Sequence, residues 1–272
     1  MINEALARRY FRGLDPLGQR IILQDKPREI VGIVEWLAAE VQLLDIDCRF
    51  NSYAEAPEVL AENPDIVVIA TGGLPFAGRL KFGSELATSP WDVLAGQVKV
   101  APEVLLFDDH GAHEGLSLAE FAVDHGARLE YVSPERAAGI DVGGINYPAY
   151  FKKLYAAKTT FTLNHRLKGI RRDGNKLVAV LTNDYDKSET ERRTDQVIAE
   201  HGTLPAAEAY FALKEQSANR GELDIDALIA NRPQTLVRNR DGRFQLFRVG
   251  DAVSSRNIHA ALYDSLRLCL QF

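Results

Sequence analysis

The sequence predicts an α/β fold in which parallel strands end in small-residue turns. Three observations carry this. Continuous apolar runs at Asp65–Gly73 (DIVVIATGG), Val104–Gly111 (VLLFDDHG) and Gln196–Gly202 (QVIAEHG) each close on glycine, as strands buried on both faces do. The second run leads into a helical pattern from Ser117 to His125, then Gly126 and the strand RLEYVS, which makes a βαβ unit with a right-handed crossover expected. Finally, FQLFRVGDA passes through Gly250 and Asp251 into a last helix, Asn257 to Leu270.

Taken in order, Ile2 to Phe11 places Ile2, Ala5, Leu6 and Tyr10 on one helical face before Gly13 and Pro16 break the pattern. Arg20–Leu23 and Glu29–Val34 are short and β-branched, and Glu35–Leu44 carries Leu37, Val41 and Leu44 at helical spacing. Ile46–Asn51 (IDCRFN) reads as the strand into which that helix leads, and Ala54–Ala61 is helical. After the βαβ unit, a helix over Tyr150–Ala157 precedes FTLNHRLKGIRRDGNKLVAVLTN, whose alternation around Asp173-Gly174 signals a hairpin and an antiparallel meander.

Composition narrows the function classes. A net charge of -6, with basic and acidic residues mixed, excludes the basic stripe that a nucleic-acid backbone needs. Cys48 and Cys269 lie in apolar runs that read as core, so no disulfide framework is expected. The first fifteen residues lack the apolar stretch of a signal peptide, and no segment reaches the length of a membrane span. A soluble, cytoplasmic protein without a membrane partner is expected.

The residues that can carry chemistry are few. At Ala70–Gly73 the absent side chains let a diphosphate or ring approach the backbone; the alternative is a tight turn needing positive φ. Asp251 stands between a strand and the Asn257 helix, placed to accept a hydrogen bond from a ribityl or ribose hydroxyl, or to act as a cap. The two turns gain weight together, because a flavin-type nucleotide domain needs a glycine turn and a late acid near a helix start.

The stretch DDHGAHEGLSLAE departs from G-x-G-x-x-G: Gly111 and Gly115 stand, but His113 and Glu114 lie between them. Asp108 and Asp109 would repel a dinucleotide diphosphate, which argues against NAD(P) and for packing. His110, His113, Asp109 and Glu114 have no second cluster with which to complete a metal site, and none is expected. His165, His201 and His259 are isolated; His259, close to Asp251, is the one retained as a candidate. Tyr131, Tyr147, Tyr150, Phe151 and Tyr155 read as core. No hydrolase, zinc-protease or phosphate-loop signature is present.

Taken in order, REIVGIVEWLAAEV, DIVVIATGGLP, VLLFDDHGAHEGLSLAEF, EHGTLP and VGDAVSSRNIHAALYDSLRLC resemble the carboxyl-terminal portion of trimethylamine-dehydrogenase-like flavoproteins. That group includes 2,4-dienoyl-CoA reductase, and the match is closest to the dimethylglycine and N-methylproline demethylases. The resemblance implies a Rossmann-like, glutathione-reductase-type fold with two nucleotide-binding-like subdomains, the first incomplete. Residues 35–100 and 195–272 would form a partial FAD-binding subdomain, and 101–194 an NAD(P)-binding-like one. It places Thr71, Gly72, Gly73, Gly250, Asp251, the helix start at Asn257, and with it His259, against FAD or an ADP moiety. It assigns no catalytic residue. FMN and the iron-sulfur cluster would belong to an amino-terminal barrel, supplied by a partner subunit, or the chain would meet another electron-transfer partner.

Residues 1–34 stand where the first glycine fingerprint would be. INEALARRYFRGLDPLGQRI resembles a motif of the periplasmic domains of macrolide-export-type ABC transporter permeases, which implies a fusion or truncation. Two alternatives to the oxidoreductase therefore remain: a noncatalytic nucleotide-binding or interaction module, and an extracytoplasmic transporter domain.

Overall fold

The computed structural model describes residues 20–23, 26–29, 33–44, 46–76, 78 and 80–272, so the expected helix over Ile2–Phe11 and most of the transporter-like motif lie outside the described residues. The chain divides into two units, Met1–Tyr53 and Ala54–Phe272.

In the first unit, strands β1 (Arg20–Leu23) and β2 (Lys26–Glu29) pair antiparallel, with Arg20 opposite Glu29. Helix α1 spans Ile33–Leu43. Of the strand expected over Glu29–Val34, Glu29 belongs to β2, Ile33 and Val34 begin the helix, and 30–32 lie outside the described residues. No strand forms over Ile46–Asn51: the residues described there are exposed and have no ladder partner among the described residues. A strand-like run without a neighbour cannot hold itself extended in water. Cys48 is accordingly exposed, as is Cys269, against the core reading of both.

The second unit is built on a parallel sheet of order β11-β5-β6-β7, from β5 (Glu103–Asp108), β6 (Arg128–Ser133), β7 (Thr160–Leu163) and β11 (Gln196–Glu200). Gln196 pairs with Val104, Val104 with Leu129 and Glu130 with Thr160. The helix between β5 and β6, α4 (His113–Asp124), starts four residues before Ser117, and α5 spans Tyr147–Ala156.

Alternate residues of β5 serve two layers, which is why its run is continuously apolar. Val104 and Leu106 pack with Leu116, Ala119 and Ala122 of α4 and with Leu154 of α5. Leu105 and Phe107 point the other way, onto Leu167, Ile170, Ala179 and Leu181. Those belong to the meander β8 (His165–Asp173), β9 (Lys176–Asn183) and β10 (Glu189–Thr194), whose first turn is the expected hairpin. Of the aromatic group, Tyr131 is fully buried and Phe151 stacks on Tyr147 and Phe161, whereas Tyr155 is 66 % exposed and is not core.

A separate parallel pair, β3 (Ile66–Ile69) and β13 (Gln245–Arg248), runs Ile66 beside Gln245 through Ile69 beside Arg248. Val67, Ile69 and Leu246 pack on Tyr210 and Leu213 of α6 (Glu208–Lys214). Val67 and Ile69 bury one face of β3, while on the other Ile66 is 37 % exposed and Val68 is only half-buried, against the Phe247 and Leu268 cluster; the pair has no further strand on its open side among the described residues. Two short strands, β4 (Gly73–Pro75) and β12 (Thr203–Pro205), join antiparallel, and α8 (Ile258–Cys269) closes the chain. The remaining helices are α2 (Ala56–Ala61), α3 (Pro90–Leu94) and α7 (Ile225–Ile229).

Candidate functional site

Two backbone turns meet at the carboxyl ends of β3 and β13. The Val249 amide donates to the Ile69 carbonyl at 3.0 Å, so the segment after one strand is held against the segment after the other. Gly72 has φ +73° and Gly250 φ +60°, conformations that side chains resist. A Cβ at Gly72 would meet nothing within 4 Å, so its backbone is approachable from outside. At Gly73 a Cβ would stand 2.6 Å from Thr203 Oγ1, and glycine is required by the contact of β4 with β12. The Thr71 hydroxyl donates to the Ala206 carbonyl, and the Ala206 amide donates to the Gly72 carbonyl at 3.0 Å.

Asp251 is the middle residue of a single 3-10 turn over Gly250–Ala252. Its Oδ2 accepts the Thr203 hydroxyl at 3.2 Å and its Oδ1 accepts the Arg256 amide at 3.2 Å. The structure thus brings Gly73, Thr203 and Asp251 together. Asn257 is the N-cap of α8, its side chain accepting the Ala260 amide at 2.9 Å. His259 is exposed in the first turn of that helix, and no hydrogen bond joins it to Asp251 among the described residues. A helix start and a fixed carboxylate beside the open Gly72 turn and the buried Gly250 turn make a set that fits a nucleotide's phosphates and hydroxyls. Among the described residues no group of side chains could hold a metal ion.

The turn from β5 into α4 is filled from within. Asp108, fully buried, accepts the amides of His110 at 2.9 Å and Gly111 at 2.8 Å on one oxygen, and the Tyr131 hydroxyl on the other. These amides are where a diphosphate would bind in such a turn. A Cβ at Gly115 would lie 2.0 Å from Asp108 Oδ2, so this glycine makes room for the acid. Burial pushes the Asp108 carboxyl up, against the pull of the two amides and Tyr131, and burial beside that acid drives the Tyr131 phenol far up.

Beside it lies a polar cluster that sequence reasoning did not assemble. Ser255 Oγ accepts the Thr203 amide at 3.1 Å and lies 3.4 Å from His110 Nε2. His110 Nδ1 is 3.6 Å from Glu200 Oε1 and 3.8 Å from Glu114 Oε2. Glu200 Oε1 also accepts the Gly202 amide at 2.6 Å, and burial pushes the Glu200 carboxyl up to about 6. His201, buried, bonds through Nδ1 to Asp109 at 2.9 Å. The only advance signal was the run Glu200-His201-Gly202 at the end of a buried strand, where polar residues are unusual.

Parallel strands ending in glycine turns, a helix start and a late acid define a Rossmann-type FAD/NAD-binding fold. The same fold is found in thioredoxin reductase from T. acidophilum, with a TM-score of 0.53 at 18% identity over 76% of this chain and 64% of that one. Histamine dehydrogenase from Rhizobium sp. 4-9 gives a TM-score of 0.67 at 16% identity over 88% of this chain and 35% of that one. No protein-family model matches the chain. In sequence it is 44% identical over 256 residues to a probable N-methylproline demethylase of Rhizobium meliloti (strain 1021), covering 93% of this chain and 38% of that protein. It is 39% identical over 276 residues to N,N-dimethylglycine/sarcosine dehydrogenase of Chromohalobacter salexigens, covering 96% and 40%. The chain is a homologue of this demethylase and this dehydrogenase, and it spans about two fifths of the length of the curated relatives it matches. No helix among the described residues is long and apolar enough to cross a membrane.

Proposed function

We propose that the chain is the dinucleotide-binding portion of an oxidoreductase that demethylates or dehydrogenates an N-methylated amine, and that it binds FAD, or ADP in the same place. The observation that carries this is the pairing of the Gly72 and Gly250 turns at the ends of adjacent parallel strands, with Asp251 held between Thr203 and Arg256. The backbone of Thr71–Gly73 would face the diphosphate, Asp251 a sugar hydroxyl, and the α8 start at Asn257 and His259 the negative charge. A flavin supplies electron transfer when bound; the chain's residues bind and orient it.

NAD(P) is not taken at the β5 turn, because Asp108 already occupies the two amides a diphosphate would need. FMN, the iron-sulfur cluster and substrate oxidation belong to a barrel outside these residues, met as part of a longer protein or as a partner subunit, or electrons pass to another carrier. The setting is cytoplasmic, in keeping with two exposed free thiols.

The test is an absorbance spectrum of the purified chain before and after incubation with FAD and removal of free ligand. A retained flavin band supports the reading; a colourless chain favours a noncatalytic nucleotide-binding or interaction module.

A further inference from the structure

Between the β5 turn and the Asp251 turn runs an unbroken series of polar contacts. Asp251 Oδ2 accepts the Thr203 hydroxyl at 3.2 Å, the Thr203 amide donates to Ser255 Oγ at 3.1 Å, and Ser255 Oγ lies 3.4 Å from His110 Nε2. The far nitrogen of the same ring, Nδ1, is buried without a hydrogen-bond partner, as is Glu114 Oε2 at 3.8 Å. Glu200 Oε1, 3.6 Å from Nδ1, completes the surroundings. The series is tightly packed: Gly202 lies in the gap, with φ +73°, and a Cβ there would stand 2.9 Å from Ser255 Oγ and 3.1 Å from His110 Cδ2.

We propose that His110 is a positioning residue for the Asp251 turn: whether Glu200 carries a proton decides which ring nitrogen of His110 does, and so sets the direction of the His110–Ser255 hydrogen bond, and through Thr203 the order of the Asp251 carboxylate. With Glu200 ionised, the ring proton is held on Nδ1 toward the carboxylates. Nε2 then accepts the Ser255 hydroxyl, and Ser255 keeps a lone pair for the Thr203 amide. A protonated Glu200 donates toward Nδ1 instead, which puts the ring hydrogen on Nε2, and Nε2 then donates to Ser255. The serine hydroxyl must turn away and its oxygen now serves two donors, the ring and the Thr203 amide, so the anchor of Thr203 weakens.

The other titratable groups nearby have fixed partners. Asp108 is bonded to Tyr131 and to two amides, Asp109 to His201, and Arg256 to Asp264. The function assigned to this relay rests on the flavin reading of Asp251; the relay itself does not, and the experiment separates them.

The first measurement is the Thr203 amide resonance of the full chain without ligand, followed by NMR from about pH 8 to about pH 4.5. An inflection near the Glu200 value of about 6 is expected, lost in Glu200→Gln and in Ser255→Ala, while the Gly202 amide, which donates to Glu200, still shows it in Ser255→Ala. A flat Thr203 profile, or an inflection that survives in Ser255→Ala, overturns the proposal. FAD affinity is then measured at both ends of the range, since FAD carries no group titrating between them. Wild type should bind about fivefold more weakly at the acid end and Glu200→Gln equally at both. Equal wild-type affinities at the two ends overturn the coupling. The Thr203 inflection without any FAD binding supports the relay and sinks the flavin reading alone.

Discussion

Tyr131 donates its hydroxyl to Asp108 from the neighbouring strand of the parallel sheet, and both side chains are fully shielded from solvent. Tyr131→Phe leaves the Asp108 oxygen buried without its donor, which costs about 1 to 3 kcal/mol. The donor stabilises the ionised acid, so the loss should be largest at alkaline pH and shrink as pH falls and Asp108 takes up a proton. Urea unfolding of wild type and variant at two pH values checks this; a loss independent of pH would mean that packing alone was removed.

Gly115 tests whether the β5 turn is dedicated to its own acid. An added methyl would stand 2.0 Å from Asp108 Oδ2, and backbone neighbours on α4 cannot yield without breaking the helix. Gly115→Ala should therefore destabilise by about 1 to 3 kcal/mol, although alanine is the better helix former. Thermal unfolding gives the number, and an unchanged midpoint would show that Asp108 has another place to go.

Strand β5 was legible because Val104 to Phe107 are apolar at every position, as a strand covered on both faces requires. The presence of an acid after it was legible as an obstacle to phosphate, but its partner was not: Tyr131 lies 23 residues on. Ser255 and His110 are 145 residues apart and meet only because β11 lies beside β5; no local pattern encodes that. The failed strand at Ile46–Asn51 shows the converse, since a strand-like run becomes a strand only when a neighbour supplies the ladder.

Burial moves the Glu200 carboxyl from its ordinary 4.5 to about 6, so the folded chain holds that proton more firmly than the unfolded one. The contribution to stability is then present below the unfolded value and is lost as pH rises through about 6. Glu200→Gln keeps an acceptor for the Gly202 amide and removes the charge. It should stabilise the chain by about 2 kcal/mol above neutrality and by little near pH 4.5. Chemical denaturation across that range measures it, and a variant less stable than wild type at alkaline pH would show that the anion is needed by His110.

Asp251 is fixed by Thr203 and by the Arg256 amide, next to Gly250 and at the ends of the same strand pair as the open Gly72 turn. A carboxylate so held has little orientational freedom left to lose when a sugar hydroxyl donates to it. Asp251→Ala should weaken FAD by about 1.5 to 3 kcal/mol, the value of one hydrogen bond to a charged group. Asp251→Asn keeps the acceptor for Thr203 and loses only the charge, so it should fall between the two. Fluorescence titration with FAD gives both affinities, and equal binding by wild type and Asp251→Ala would remove the residue from the site.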